Sequence, residues 1–319
     1  MREETIKVVV RRREEQGHGV VVLELVSADG RELPSFDAGA HIDLHLGNGL
    51  VRQYSLAGHP GEGSLYRLGI LRSPQSRGGS IAAHEQLHEG AELFVSRPRN
   101  HFPLDMTAGH TVLVGGGIGI TPIIAMAHAL EQAGKSFELH YCARSRAACA
   151  FLDELVTASF GDRVHLHFDD EVAGQALDLQ AVLGASGLDA HLYVCGPSGF
   201  MDWVIGEAGR LGLPAANIHK EYFGVEADTR GGAFDVVASR SGRTVHVGAD
   251  VTIVDALASV GIKVPVSCEQ GVCGTCMCRV LDGVPDHRDA FLTEEEKRDN
   301  DCMLLCCSRA SSGTLVLDI

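Results

Sequence analysis

Short runs of alternating or β-branched residues fill the first third of the chain, at 8–10, 19–25, 41–46, 52–56, 66–71 and 92–95, each broken by Gly, Pro or Asn. A period of two marks a strand with one buried face. About six such strands predict a closed antiparallel barrel, with a short helix over 81–87 as its cap. A mixed-charge run over 11–15 ends the first strand in this reading. From 111 the pattern changes: apolar strands at 111–114, 137–142, 163–168 and 191–195 alternate with helix-length segments at 122–133, 149–159, 178–183 and 199–211. That alternation predicts βαβ units on a parallel sheet. A polar, glycine-bearing stretch at 226–233 predicts a linker, after which strands at 234–238, 244–247 and 314–317 and a helix over 253–260 surround a cysteine-rich loop. The expected division is a barrel domain over 1–105, an α/β domain over 106–225, the linker, and a third domain over 234–319.

Composition changes this picture little and narrows the chemistry. The 319 residues carry a formal charge of −15, which excludes electrostatic capture of nucleic acid or an anionic membrane surface. Residues 106–130 hold no formally charged group, yet three consecutive glycines, Pro122 and two histidines make them a strand, a turn and a helix rather than a membrane span. The N-terminus shows no apolar stretch or small-residue cleavage site, so the expected location is the cytoplasm; a monomer is expected. In that compartment thiols stay reduced, and the ten cysteines read as ligands or core residues.

Cys268, Cys273 and Cys276 stand in C-x4-C-x2-C spacing, and Cys306 follows after 29 residues. This is the plant-type spacing for a 2Fe-2S cluster, in which four thiolates hold two irons. Gly271 and Gly274 let the backbone close on the cluster without a Cβ clash. A zinc site fits less well, because structural zinc favours paired C-x2-C units. Spacing favours Cys306 as the fourth ligand, with Cys302 and Cys307 in the same stretch and Cys278 two residues past the trio; of Cys306 and Cys307 only one can face the cluster.

Arg52 and Tyr54 share a face of one expected strand and Ser55 points the other way. Arginine's planar fork suits a flavin phosphate and a neighbouring tyrosine suits its ring, although an exposed strand arginine reads equally well. Arg77, Gly78, Gly79 and Ser80 precede a helix, where backbone donors and the positive helix end favour a phosphate. Gly115-Gly116-Gly117-Ile118-Gly119-Ile120-Thr121-Pro122 follows a strand and opens a helix, the setting of a dinucleotide loop. Cys195-Gly196-Pro197-Ser198 ends the last strand of the same unit, at the edge where parallel sheets bind ligands. Cys195 reads either as a neighbour of the nicotinamide or as a small core residue.

With these motifs in this order, essentially the whole chain resembles the phthalate dioxygenase reductase family, the reductases of Rieske-type oxygenases. The resemblance implies an antiparallel flavin-binding β-barrel, a parallel-sheet α/β nicotinamide domain and a C-terminal β-grasp plant-type ferredoxin domain. It implies FMN held by Arg52, Tyr54 and Ser55, with Ile70 and Leu71 at the ring edge and the phosphate on Arg77, Gly78, Gly79 and Ser80. Thr121 would reach both flavin and nicotinamide, and Phe223, with Tyr222 beside it, would cover the flavin. Gly116, Gly117, Gly119, Cys195, Gly196 and Pro197 would receive NADH, and Arg144 and Ser145 would meet its adenosine ribose. An arginine there also suits a 2′-phosphate, while the resemblance implies NADH.

The function expected is electron transfer from NADH through FMN and a 2Fe-2S cluster to a terminal oxygenase that docks near 269–275. Ser55, Thr121 and Phe223 would align the flavin, with no side chain acting as acid or nucleophile. The rival readings are a stand-alone reductase for a soluble acceptor and a redox-sensing interaction module. No C-x-H or C-x2-H pair for a Rieske centre occurs in the chain. His41 with His45, His165 with His167, Asp153-Glu154 and Asp169-Asp170-Glu171 are assigned no chemistry, and Thr293 is expected to cap a helix starting at Glu294.

Overall fold

The computed structural model describes residues 5–73, 78–171, 176–223, 230–266, 269–272 and 274–319. Arg77, Cys268, Cys273 and part of the expected linker lie outside them. The chain forms two compact units, residues 1–223 and 224–319.

The first unit opens with strands β1 (Thr5–Gln16), β2 (Val20–Ser27), β3 (Ala40–His45), β4 (Val51–Ser55), β5 (Tyr66–Leu71), β6 (Glu92–Ser96) and β7 (Arg99–Asn100), with helix α1 (Gly79–Gln86) between β5 and β6. They form an antiparallel sheet of order β4-β3-β6-β1-β2-β5, with β7 paired to β3. Its two ends approach through a Leu56–Leu68 bridge and a 2.8 Å bond from the Ala57 N–H to the Arg67 carbonyl. Strand β1 is longer than the alternation predicts. After a bulge at Val10/Arg12 its charged run keeps pairing with β2, and Arg11 donates to Glu24 at 2.7 Å on the outer face. Leu23, Leu25, Ile42, Leu44, Leu68 and Ile70 are fully buried inside.

The second layer of this unit holds β8 (Thr111–Gly116), α2 (Ile120–Gln132), β9 (Phe137–Ala143), α3 (Leu152–Thr157), β10 (Val164–Phe168), α4 (Leu179–Ser186), β11 (His191–Gly196), α5 (Ser198–Arg210) and β12 (Ile218–Tyr222). All five strands are parallel in the order β10-β9-β8-β11-β12. One sheet face shares a continuous core with α2 and the antiparallel sheet, through Leu113, Ile123, Tyr141 and Tyr193; the other buries Val112, Val114, Leu192 and Val194 under α4 and α5. Helix α3 is shorter than the 149–159 segment suggests. Phe151 ahead of it adopts φ 59° and its N–H bonds Gln16 of β1, which interrupts helical pairing. Glu154, assigned no chemistry from sequence, pairs with Arg67 of the antiparallel sheet. Between His165 and His167 the structure inserts His140, its ring stacked at 4.9 and 5.3 Å from theirs.

The second unit contains β13 (Phe234–Ala238), β14 (Arg243–Val247), α6 (Ile253–Ser259), β15 (Met277–Asp282), β16 (Pro285–Asp286), α7 (Glu294–Asp299), β17 (Cys302–Leu304), β18 (Arg309–Ala310) and β19 (Thr314–Leu317). A mixed sheet of order β14-β13-β19-β15-β17 covers a core of Val236, Val247, Leu257, Met303, Leu315 and Leu317, and β16 pairs with β18. Thr293 caps α7 in a full capping box with Glu296, as expected.

Since Leu23 belongs to the first unit's core alone, Leu23→Ala removes buried methyls and leaves a cavity, which costs about 2–5 kcal/mol. Calorimetry is expected to show the first unit's transition lowered and that of the second unmoved.

Candidate functional site

The carboxyl ends of β9, β8 and β11 lie side by side, so the turns that leave them share one edge of the parallel sheet. Gly116 ends β8 and Gly117–Gly119 form a single 3-10 turn into α2, with Gly117 at φ 54°. Gly119 is there for contact rather than conformation: a Cβ on it would stand 2.3 Å from the Cys195 carbonyl oxygen at the end of β11. A Cβ on Gly116 would meet the Phe200 ring at 2.7 Å, and one on Gly196 would meet the same ring at 2.9 Å. Pro197 precedes α5 as its cap residue, and Arg144 and Ser145 leave β9 at the same edge.

The antiparallel sheet meets this edge through β5 and α2. A Cβ on Gly69 would be 2.9 Å from the Thr121 methyl, so the missing side chain lets Thr121 reach the sheet. Thr121 is buried and its hydroxyl donates to the Ile118 carbonyl at 3.0 Å. Next to it β4 supplies Arg52, Tyr54 and Ser55, and the end of β5 supplies buried Ile70 and half-exposed Leu71. The Arg52 side chain runs across the start of α1, its Cγ only 2.4 Å from where a Gly79 Cβ would be. Gly78 at φ 87° turns the chain into that helix, and Ser80 Oγ accepts from the Ser73 N–H at 3.1 Å. A guanidinium, a helix N-terminus and a glycine turn thus share one place. Burial pushes the Tyr54 phenol up to about 12, which keeps it neutral.

One residue of this site escaped sequence reasoning as a functional group. Glu221 lies on β12, opposite Cys195 in the ladder, and its carboxyl accepts a 3.3 Å hydrogen bond from Ser55. Loss of solvent pushes it from its ordinary 4.5 up to about 8, and burial followed by the Glu221 charge raises the Cys195 thiol well above its usual range. Its position in E-Y-F was visible; its partial burial was not, because the strand that carries it has no clear alternation. The side chains after it part company. Tyr222 joins the core under α4 and α5, whereas Phe223 joins the core shared with the antiparallel sheet.

In the second unit the expected cluster loop shows positive φ at Glu269 (54°), Gly271 (72°) and Gly274 (73°), which folds it tightly. A Cβ on Gly271 would be 2.5 Å from Cys307 Sγ, and one on Gly274 would be 2.5 Å from the Phe291 ring. Cys276 and Cys306 are buried, at 3% and 4% exposure. The tight loop and two withdrawn sulfurs fit a thiolate-held cluster. Among the described residues no group of three or more His, Cys, Asp or Glu is placed to hold a metal ion; Cys268 and Cys273 lie outside them. Cys302, by contrast, is partly exposed on β17, with its thiol raised to about 11 by burial and Asp301.

The Glu221 shift has a fixed sign. Between about pH 4.5 and 8 the folded chain binds a proton at Glu221 that the unfolded chain releases, so this group's contribution to stability falls as pH rises through that window. Glu221→Gln is expected to flatten the decline, measured as denaturant midpoints of the first unit from pH 5 to 9; an unchanged slope would show that the carboxyl is not held protonated. Gly119→Ala is expected to lower nucleotide affinity at least about tenfold, measured by titration with NAD+, because the two turns can no longer touch.

The 2Fe-2S iron-sulfur cluster binding domain family matches residues 236–311. The vanillate O-demethylase oxidoreductase of Pseudomonas sp. (strain HR199 / DSM 7063) is 48% identical over 98% of this chain and all of its own length. The phenoxybenzoate dioxygenase subunit beta of Ectopseudomonas oleovorans is 47% identical over 94% of this chain and 93% of its own. Among solved structures, phthalate dioxygenase reductase, described as a modular structure for electron transfer from pyridine nucleotides to [2Fe-2S], superimposes with a TM-score of 0.79 at 36% identity, covering 99% of this chain and 98% of that one. With an antiparallel β domain, a parallel α/β layer and a C-terminal 2Fe-2S domain in that order, the chain belongs to the phthalate dioxygenase reductase family.

Proposed function

We propose that this protein is the NADH-dependent reductase component of a two-component Rieske-type oxygenase or demethylase, passing electrons from NADH through FMN and a 2Fe-2S cluster to the oxygenase. The observation that carries this reading is the meeting of the two glycine turns with Ser55, Thr121 and Glu221 in one unit, in a chain whose other unit is an iron-sulfur domain. Three functional domains then share two compact units, the flavin and nicotinamide domains making up the first.

Flavin chemistry supplies the exchange between the two-electron currency of nicotinamide and the single electrons an iron-sulfur centre accepts. The chain's own residues supply alignment. Arg52 with Gly78, Gly79, Ser80 and Arg77 would hold the FMN phosphate, Tyr54, Ile70 and Leu71 would flank the ring, and Ser55 would sit near N5. Phe223 is the better cover for the ring than Tyr222, because its side chain turns toward the shared core. Gly116, Gly117, Gly119, Gly196 and Pro197 would receive the nicotinamide half, with Cys195 neutral beneath it, and Arg144 and Ser145 the adenosine ribose. Glu221 keeps its proton at neutral pH, so it would place no negative charge beside Ser55 where the flavin ring would lie. In the second unit Cys268, Cys273, Cys276 and Cys306 would hold the cluster.

The partner is the terminal oxygenase, docking near 269–275; its substrate is not written in the reductase, since relatives of nearly equal identity carry the names of different oxygenase substrates. We assign the protein to the cytoplasm as a monomer; no helix of the described residues is long and apolar enough to cross a membrane.

Extraction is expected to yield FMN and about two irons per chain. Cys276→Ser is expected to abolish NADH-driven reduction of cytochrome c while flavin reduction by NADH persists. FAD or zinc in the extract, or equal loss of both activities, would overturn the assignment.

A further inference from the structure

The single tryptophan of the chain, Trp203, is 47% exposed on α5. It follows Phe200 by one helical turn, and the two rings lie 6.2 Å apart, tilted by 41°. Phe200 in turn covers the glycine turns from above, within 2.7 Å of where a Gly116 Cβ would stand and 2.9 Å of a Gly196 one. The inner face of α5 is filled by Met201, Val204 and Ala208, and Phe200 packs at the margin of the same core, so the exposed Trp203 ring is not needed to hold the helix down. Around Trp203 the exposed positions of α5 include Ser198, Asp202 and Arg210. One exposed ring amid polar neighbours, backed by a second that is anchored on the core, is too small for a protein docking face and matches one flat aromatic ligand.

We propose that Phe200 and Trp203 form an aromatic ledge that receives the adenine ring of the dinucleotide. The inference rests on the reading that the glycine turns bind NADH. With the nicotinamide held at Thr121 and Cys195, the rest of the dinucleotide leaves along the same sheet edge, and the ledge begins where the turns end. Stacking on an aromatic face recognises a base through its π-surface, without hydrogen-bond readout.

The holoprotein provides its own probe, since all tryptophan emission comes from Trp203. ADP-ribose, which carries adenine without nicotinamide, is expected to quench that emission, and nicotinamide mononucleotide is not. Trp203→Ala is expected to raise the ratio of KM for NADH to KM for reduced nicotinamide mononucleotide about tenfold, with Trp203→Phe restoring most of it. An unmoved ratio, a parallel rise in both KM values, or a rise confined to the KM for the oxygenase would overturn the ledge. Wild-type protein that oxidises neither nucleotide would instead overturn the reading beneath it.

Discussion

The first unit depends on how closely two turns approach each other. Gly119 sits where any side chain would strike the Cys195 carbonyl, and this bare contact fixes α2 against the end of β11. From that fixed point Thr121, the second residue of α2, reaches Gly69 of the antiparallel sheet. The glycine turn and the facing wall of the antiparallel sheet are thereby set by backbone contact instead of by flexible side chains. Such rigidity is what alignment chemistry requires, since misplacement by about 1 Å costs orders of magnitude in rate. It also explains why these glycines cluster at the sheet edge: most of them are places where another element already occupies the Cβ position.

Charge is managed around the same point. Arg52 lies across the start of α1, so a cation and a helix N-terminus favour the same anion. A short distance away Ser55 donates to a carboxyl that burial keeps protonated. The unit therefore offers positive potential to an anion at the start of α1 and near-neutral surroundings beside Ser55. In the second unit the loop that precedes Cys276 turns tightly at Gly271 and Gly274, where Cys307 and Phe291 press against it.

Periodicity made the antiparallel strands and the βαβ layer legible, because alternating and continuous apolar runs differ in period. The glycine turns were legible because they stand between strand and helix. Strand β12 was not: Ile218-His-Lys-Glu-Tyr222 carries polar residues at its centre, as an edge strand can, and it brought Glu221 with it. The charged half of β1 was hidden for a related reason, since its arginines and glutamates pair across the outer face. The contact of Gly119 with Cys195 joins residues remote in sequence, and spacing alone does not report such a pair. The cysteine spacing, in contrast, announces its chemistry directly, because the C-x4-C-x2-C trio is local in sequence.

The most direct measurement is anaerobic rapid mixing of the oxidised holoprotein with one equivalent of NADH, following flavin and iron-sulfur absorbance separately. Flavin bleaching is expected first, with cluster reduction following it, and removal of the flavin is expected to stop cluster reduction. Cluster reduction that keeps its rate in flavin-depleted protein would contradict the ordered path from NADH through flavin to the cluster.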